Sequence, residues 1–189
     1  YVGTVIGGKS TVSLDEVNPV GTILPYAGVT TDIPAQWSEC DGGAVKVNEY
    51  GDYYNRVGRI YGFYQTLIFP SDGTSVDLSS YAPAEVTFAQ DDGSGVAVTA
   101  KMVSWNQETL TAVVDVNHMT NDEPNYQHFN TNNTITVTRP TDGDFVFSAP
   151  KTAHVTHVKK PDFRGRVAIG GGAYEATNRE FVIGEMGGK

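Results

Sequence analysis

Cysteine is nearly absent from this chain of 189 residues: Cys40 stands alone. A single thiol excludes an internal disulfide framework, so the fold must be held by packing, by metal or by other chains. Long hydrophobic runs are also missing. No stretch approaches the roughly 18 apolar residues that a membrane-spanning helix needs, and no signal-peptide pattern is present. Positive charge is scarce. Thirteen Lys and Arg face 22 Asp and Glu, for a net charge of −9. That balance argues against the phosphate backbone of nucleic acid as a ligand and against an anionic membrane surface; its plain role is solubility. There is no internal repeat and no low-complexity tract. Residue 1 is Tyr rather than Met, and the chain stops at Gly187-Gly188-Lys189. It therefore reads as a segment of a longer or processed polypeptide.

What is present favours strands. Hydrophobic residues make up 39%, charged residues 19%, and 21 Gly accompany ten Tyr and eight Phe. Turn formers mixed with aromatic and β-branched residues suit pleated sheets better than helices. The length allows one large domain, or one domain carrying an insertion.

Residues 1–18 read as lead-in strands. Val2, Thr4 and Ile6 alternate with small or polar residues, Gly7-Gly8 breaks the run, and Thr11 to Leu14 alternates again. Residues 20–27 are apolar. Pro34 to Trp37 looks like a turn entering a buried aromatic, and Cys40-Asp41-Gly42-Gly43 is strong turn chemistry. Residues 48–58 give the one convincing helix. Asn48 can cap it, Tyr50, Tyr53, Tyr54 and Val57 recur at helical spacing, and Gly58 can end it. From 63 to 158 the pattern is β throughout. Candidate strands are Glu85 to Ala89, Val96 to Trp105, Thr109 to Val116, Thr134 to Thr138 and Asp144 to Ser148. Trp105-Asn106-Gln107-Glu108 reads as a hairpin turn. Together they suggest a small antiparallel sandwich or barrel. Residues 117–133 form a long polar loop, a length that often carries binding.

Two distant stretches share one motif order. The first runs Pro19-Val20-Gly21-Thr22-Ile23-Leu24-Pro25, then Pro34 with Trp37, then Cys40-Asp41-Gly42-Gly43, a short helix, and Val57-Gly58 with Tyr61-Gly62. The second runs Pro161-Asp162-Phe163-Arg164-Gly165-Arg166-Val167-Ala168-Ile169-Gly170, followed by Gly184-Glu185-Met186-Gly187-Gly188. In this order the pieces resemble the phage tail collar family, over residues 19–62 and 161–188, under half the chain. Two departures stand out. Trp37 comes one residue later than in the family pattern and without its glycine. About 95 residues separate the halves (an estimate from the motif positions), where the family has a short link.

The resemblance implies a mainly β fold with one short helix. The expected layout is a lead-in at 1–18, a first collar half at 19–62, an inserted β domain at 63–158, and a second collar half, cut short, at 159–189. It implies a structural protein of the virion tail that is not an enzyme and needs no cofactor. The expected partners are two further copies in a homotrimer, other tail or baseplate proteins, and a host cell-surface receptor, either polysaccharide or protein. The main reading is a tail-fibre collar or tip domain that mediates assembly and host attachment. A baseplate component with purely structural contacts is the alternative, and a fibre-borne glycan-degrading enzyme the remote one. The motifs make physical sense as scaffold: Trp37 and Cys40 as buried apolar groups, Asp41 capping backbone N–H groups before two glycines, and Asp162 pairing with Arg164 or Arg166.

Several patterns imitate chemistry. Gly3-Thr4-Val5-Ile6-Gly7-Gly8-Lys9-Ser10 matches the phosphate-binding P-loop letter for letter. That loop needs a buried strand before it and a long helix after it; Pro19 and Gly21 leave no room for the helix. Gly170-Gly171-Gly172 lacks the third glycine of a dinucleotide site, since Glu175 stands there. His118, His128, His154 and His157 make no local metal set. His154 and His157 are three apart, which on a strand sends them to opposite faces. Asp91-Asp92 and Asp122-Glu123 are neighbours in turns, unlike a catalytic carboxylate pair. Cys40 beside Trp37 is an inert core thiol rather than a nucleophile. No catalytic, cofactor or metal residues are therefore assigned. The candidate surface-binding set is Tyr126, His128 and Phe129 in the long loop, since aromatic faces bind sugars and protein surfaces. The competing role for the two aromatics is to fold back as loop anchors.

Overall fold

A computed structural model describes residues 2–5, 19–25, 30–71, 76–91, 97–116, 128–164, 172–174 and 179–181. The fold is mainly β, with one short α-helix, as the composition implies. In chain order the strands are β1 (Val2–Val5), β2 (Ile23–Pro25), β3 (Trp37–Glu39), β4 (Ala44–Lys46), β5 (Phe63–Ile68), β6 (Thr87–Asp91), β7 (Ala97–Asn106), β8 (Thr111–Val116), β9 (Ile135–Arg139), β10 (Gly143–Phe147), β11 (Thr152–Lys159), β12 (Gly172–Tyr174) and β13 (Arg179–Phe181). The helix α1 (Gly51–Val57) lies between β4 and β5. The chain divides into two compact units. The first takes 1–61, 118–121 and 158–189; the second takes 62–117 and 122–157.

In the first unit β1 is the middle strand of an antiparallel sheet ordered β2-β1-β3. Gly3 sits opposite Leu24 on one side and Glu39 on the other. The segment that a phosphate-binding loop would use as loop is thus a paired strand; Lys9 and Ser10 lie outside the described residues. The Trp37 N–H donates to the Pro34 carbonyl at 2.8 Å, closing the turn expected there. The Trp37 ring is half-buried rather than fully enclosed. The helix starts later than the sequence suggests. Asn48 does not cap it; Tyr50 occupies the cap position, with no side-chain bond. The physical reason is a turn just upstream, where the Lys46 carbonyl accepts from the N–H groups of both Glu49 and Tyr50. That turn uses up the residues Asn48 would have needed. The other end follows expectation: Gly58 adopts a φ of 65° and its N–H donates to the Tyr54 carbonyl. Tyr53 is the helix residue that is fully buried.

In the second unit the strand order is β10-β9-β6-β7-β8-β5-β11. Alternation drives it. On β5, Phe63, Gln65 and Leu67 are buried while Tyr64, Thr66 and Ile68 are only partly so. On β8, Ala112, Val114 and Val116 are buried, and Met102 pairs with Val114 across β7. A bulge at Val103 shifts the register there, between Met102 and Ser104. Leu110, with a φ of 49°, closes the β7–β8 turn in a conformation that is strained for a branched side chain. The five strands expected by sequence occur within two residues of their expected bounds; β5 and β11 complete the sheet.

This sheet curls on itself. Five strand spacings separate β10 from β5, which would be roughly 24 Å in a flat sheet. Yet Phe147, ending β10, stacks on Phe69, just after β5, with ring centroids 4.6 Å apart. Phe69 also meets Phe88 and Trp105, and Trp105 meets Phe147. The concave face therefore wraps a core of Phe63, Leu67, Phe69, Phe88, Val114, Ile135, Val137 and Phe147, all buried. The second unit is a partly open antiparallel barrel. Each buried aromatic contributes about 1.5–3 kcal/mol through area alone.

Candidate functional site

The first candidate is a seam in the first unit, built from the two stretches that carry the family motifs. The Phe163 N–H donates to the Cys40 carbonyl at 2.9 Å, and the Gly42 N–H donates to the Pro161 carbonyl at 3.0 Å. A backbone bridge pairs Asp41 with Asp162 between them, and the Lys160 N–H donates to the Gly43 carbonyl at 2.9 Å. Residues some 120 positions apart in sequence thus share one short ladder. Gly42 makes the approach possible. Its φ is 72°, and a Cβ there would stand 3.1 Å from the Cβ of Asp162. A glycine meets both demands at no steric cost.

Side chains tie the same seam. Lys160 is buried, and its Nζ donates to Asp41 Oδ1 at 2.9 Å and to Ser38 Oγ at 2.7 Å. Asp41 Oδ1 also accepts from the Gly43 N–H at 2.8 Å, the cap its sequence context predicts. Burial alone would raise the Asp41 carboxyl. The Lys160 hydrogen bond, the Gly43 N–H and the Lys160 charge outweigh it and hold the group below its usual 3.8. Asp162 takes Arg164 in a two-pronged pair, at 2.9 and 3.0 Å. Arg164 is largely exposed, so that pair adds little; Arg166 lies outside the described residues.

Lys160 beside Ser38 has the look of a serine–lysine nucleophile pair. The geometry rules against it: Lys160 serves Asp41 as an ammonium donor and offers no lone pair to take a serine proton. Cys40 is 3% exposed. Burial pushes its thiol up to about 12, against the smaller downward pull of the Lys160 charge. The thiolate that attacks electrophiles is therefore scarce at neutral pH. Native protein at pH 8 is expected to resist alkylation at Cys40, with full labelling appearing only in denaturant. Rapid labelling of the folded chain, read by intact mass, would contradict the burial of this thiol. The seam holds backbone together.

The second candidate is the base of the long loop, in the second unit. His128 is exposed, as a recognition residue should be. Phe129 is a correction to the sequence reading: it is fully buried, 0% exposed, so its ring is an anchor and offers no face to a ligand. Tyr126 lies outside the described residues. Two buried glutamines, which sequence reasoning missed, hold this segment. The Phe129 N–H donates to Gln65 Oε1 at 3.0 Å, and Gln65 Nε2 donates to the Phe129 carbonyl at 2.7 Å. The Asn130 N–H donates to Gln90 Oε1 at 2.7 Å. Gln90 Nε2 donates to the carbonyls of Asn130 and Asn133, at 3.0 and 2.7 Å. Asn133 Nδ2 donates to the Asp91 carbonyl at 3.0 Å. The signal was in the pattern: Gln65 is in phase with Phe63 and Leu67, and Gln90 with Phe88, so both amides had to point inward.

His154 is exposed and His157 half-buried on β11. His157 packs against the Tyr64 ring, centroids 5.7 Å apart. Among the described residues, no three His, Cys, Asp or Glu side chains gather closely enough to hold a metal ion.

Comparison with known proteins adds one match. Residues 21–72 fit the family model described as Phage Tail Collar Domain. No curated protein and no solved structure matches the chain.

Proposed function

We propose that this chain, whose residues 21–72 fit the phage tail collar model, is a structural component of a virion tail, works in a tail fibre and mediates host attachment. In this reading the collar half at 19–62 joins the half at 159–189 into one domain that assembles as a homotrimer. Residues 63–158 are a β module inserted between them, and the module contacts the host surface, polysaccharide or protein. The observation that carries the reading is the seam. The backbone of Cys40, Gly42 and Gly43 is laddered to Lys160, Pro161 and Phe163, so the two motif-bearing stretches form one body despite the residues between them. A protein built to assemble and display needs such a stitched scaffold and no reactive centre. Neither the seam nor the loop base brings together the groups that acid–base or nucleophilic catalysis requires, which favours a non-enzymatic role.

The test is adsorption. Purified chain added to host cells is expected to bind them, to slow adsorption of the phage that carries it, and to release no sugar from host glycans. Sedimentation is expected to give three times the 20.3 kDa of one chain. A trimer that neither binds cells nor competes with the phage would move the protein to the baseplate, with purely structural contacts. Sugar release would overturn the non-enzymatic reading.

A further inference from the structure

We propose that Gln65 and Gln90 are positioning residues, a paired amide clamp that fixes where the backbone of Phe129 and Asn130 lies against the barrel. The use of the long loop in attachment rests on the function proposed above; the clamp itself does not. The two glutamines are 0% and 1% exposed. They stand on β5 and β6, three spacings apart in the strand order, roughly 14 Å across a flat sheet. Nevertheless they grip consecutive residues, Phe129 and Asn130, and each engages both the N–H and the C=O of its residue. A carboxamide presents one donor and one acceptor side by side, as a strand's peptide edge does. The clamp thus gives residues 129 and 130 ladder-like pairing from side chains instead of from a strand.

Such an arrangement sets register more than it adds stability. A buried amide is costly unless fully paired, so only one placement of the segment satisfies both glutamines. Sliding the chain by one residue would bring the wrong backbone groups to both amides at once and pull the Phe129 ring from its socket. Leucine or methionine at 65 and 90 would fill the same inward positions without caring which residue stood opposite. The choice of glutamine at both inward positions fixes the exit of the loop to a single residue. His128, the exposed neighbour of the clamped pair, is thereby held at one place on the surface.

Hydrogen exchange on the full chain tests this. In Gln65→Met and Gln90→Met, the amides of Phe129 and Asn130 are expected to exchange at least about 10-fold faster, while Ala100 and Val114 in the β7–β8 part of the sheet change by less than about 3-fold. Unchanged exchange at 129 and 130, or equal acceleration throughout the sheet, would overturn the clamp; equal acceleration would make the glutamines core filling only. Should the variants fail to fold, the unsubstituted chain still decides. Its Phe129 and Asn130 amides must exchange far more slowly than that of exposed Thr131, and parity with Thr131 would overturn the proposal. Cell adsorption of the same variants separates the two readings. A local loosening with adsorption about 10-fold weaker supports both. A local loosening with adsorption intact supports the clamp and removes the loop from the attachment surface.

Discussion

Removing the charge partner at the seam is expected to cost the first unit more on one side than on the other. Asp41→Ala leaves the Lys160 ammonium, 9% exposed, with only the Ser38 hydroxyl as partner. An uncompensated buried charge is among the costliest defects a fold can carry, about 3–5 kcal/mol when enclosure is complete. Asp41 itself is 35% exposed, so water reaches the pair, and a loss of about 2–3 kcal/mol is expected. Lys160→Met keeps the packed stem and strands only a carboxylate that solvent can reach; about 1–2 kcal/mol is expected. The double variant should lose less than the sum, because neither remaining group is left charged and alone. Urea unfolding followed by tryptophan fluorescence, in a Trp105→Phe background so that Trp37 alone reports, reads all three. The difference between the native chain and Asp41→Asn should also depend on pH. The Asp41 carboxyl is held below 3.8 in the fold, so its contribution is complete above that value and disappears as pH falls through the lower, folded one. A difference that persists unchanged to pH 2, or a Lys160→Met chain as stable as the native one, would refute the role given to this pair.

Phe129→Ala is expected to be the most damaging single change in the second unit. The ring is fully enclosed, 0% exposed. Truncating a buried phenylalanine costs about 3–5 kcal/mol, through lost transfer energy and the cavity left behind. For a unit of this size the melting midpoint should drop by more than about 10 °C. His128→Ala, one residue away and exposed, should leave the midpoint within about 2 °C, since surface changes rarely exceed half a kcal/mol. Scanning calorimetry distinguishes the two. A Phe129→Ala chain that melts with the native one would return this ring to the surface and restore it as a recognition residue.

The contrast shows what the sequence could and could not reveal. The β7–β8 hairpin was legible because Val98, Ala100, Met102 and Ala112, Val114, Val116 alternate with period two, and because the turn between them is polar. The helix end was legible because Gly58 accepts a positive φ. Asn48 misled because a capping residue is recognised by type alone, whereas the cap position depends on where the preceding turn lets the helix begin. Phe129 misled for a longer-range reason. Its partner Gln65 is 64 residues away, and nothing local marks a loop aromatic as bound for a core. The seam lay between these extremes. The motifs at Cys40-Asp41-Gly42-Gly43 and Pro161-Asp162-Phe163 were visible, but the buried Lys160 that joins them stands just outside both and carries no local mark. Its significance depends on Asp41 and Ser38 arriving from the other side of the chain.

The second unit begins and ends on adjacent strands. Gly62 leads directly into β5, β11 carries the chain out, and β5 and β11 are neighbours in the sheet, with the Thr156 hydroxyl donating to the Tyr64 carbonyl. The first entrance and the last exit therefore lie side by side. With first and last strands paired, the far strands β9 and β10 can be lengthened or shortened with little change to where the chain first enters and last leaves this unit.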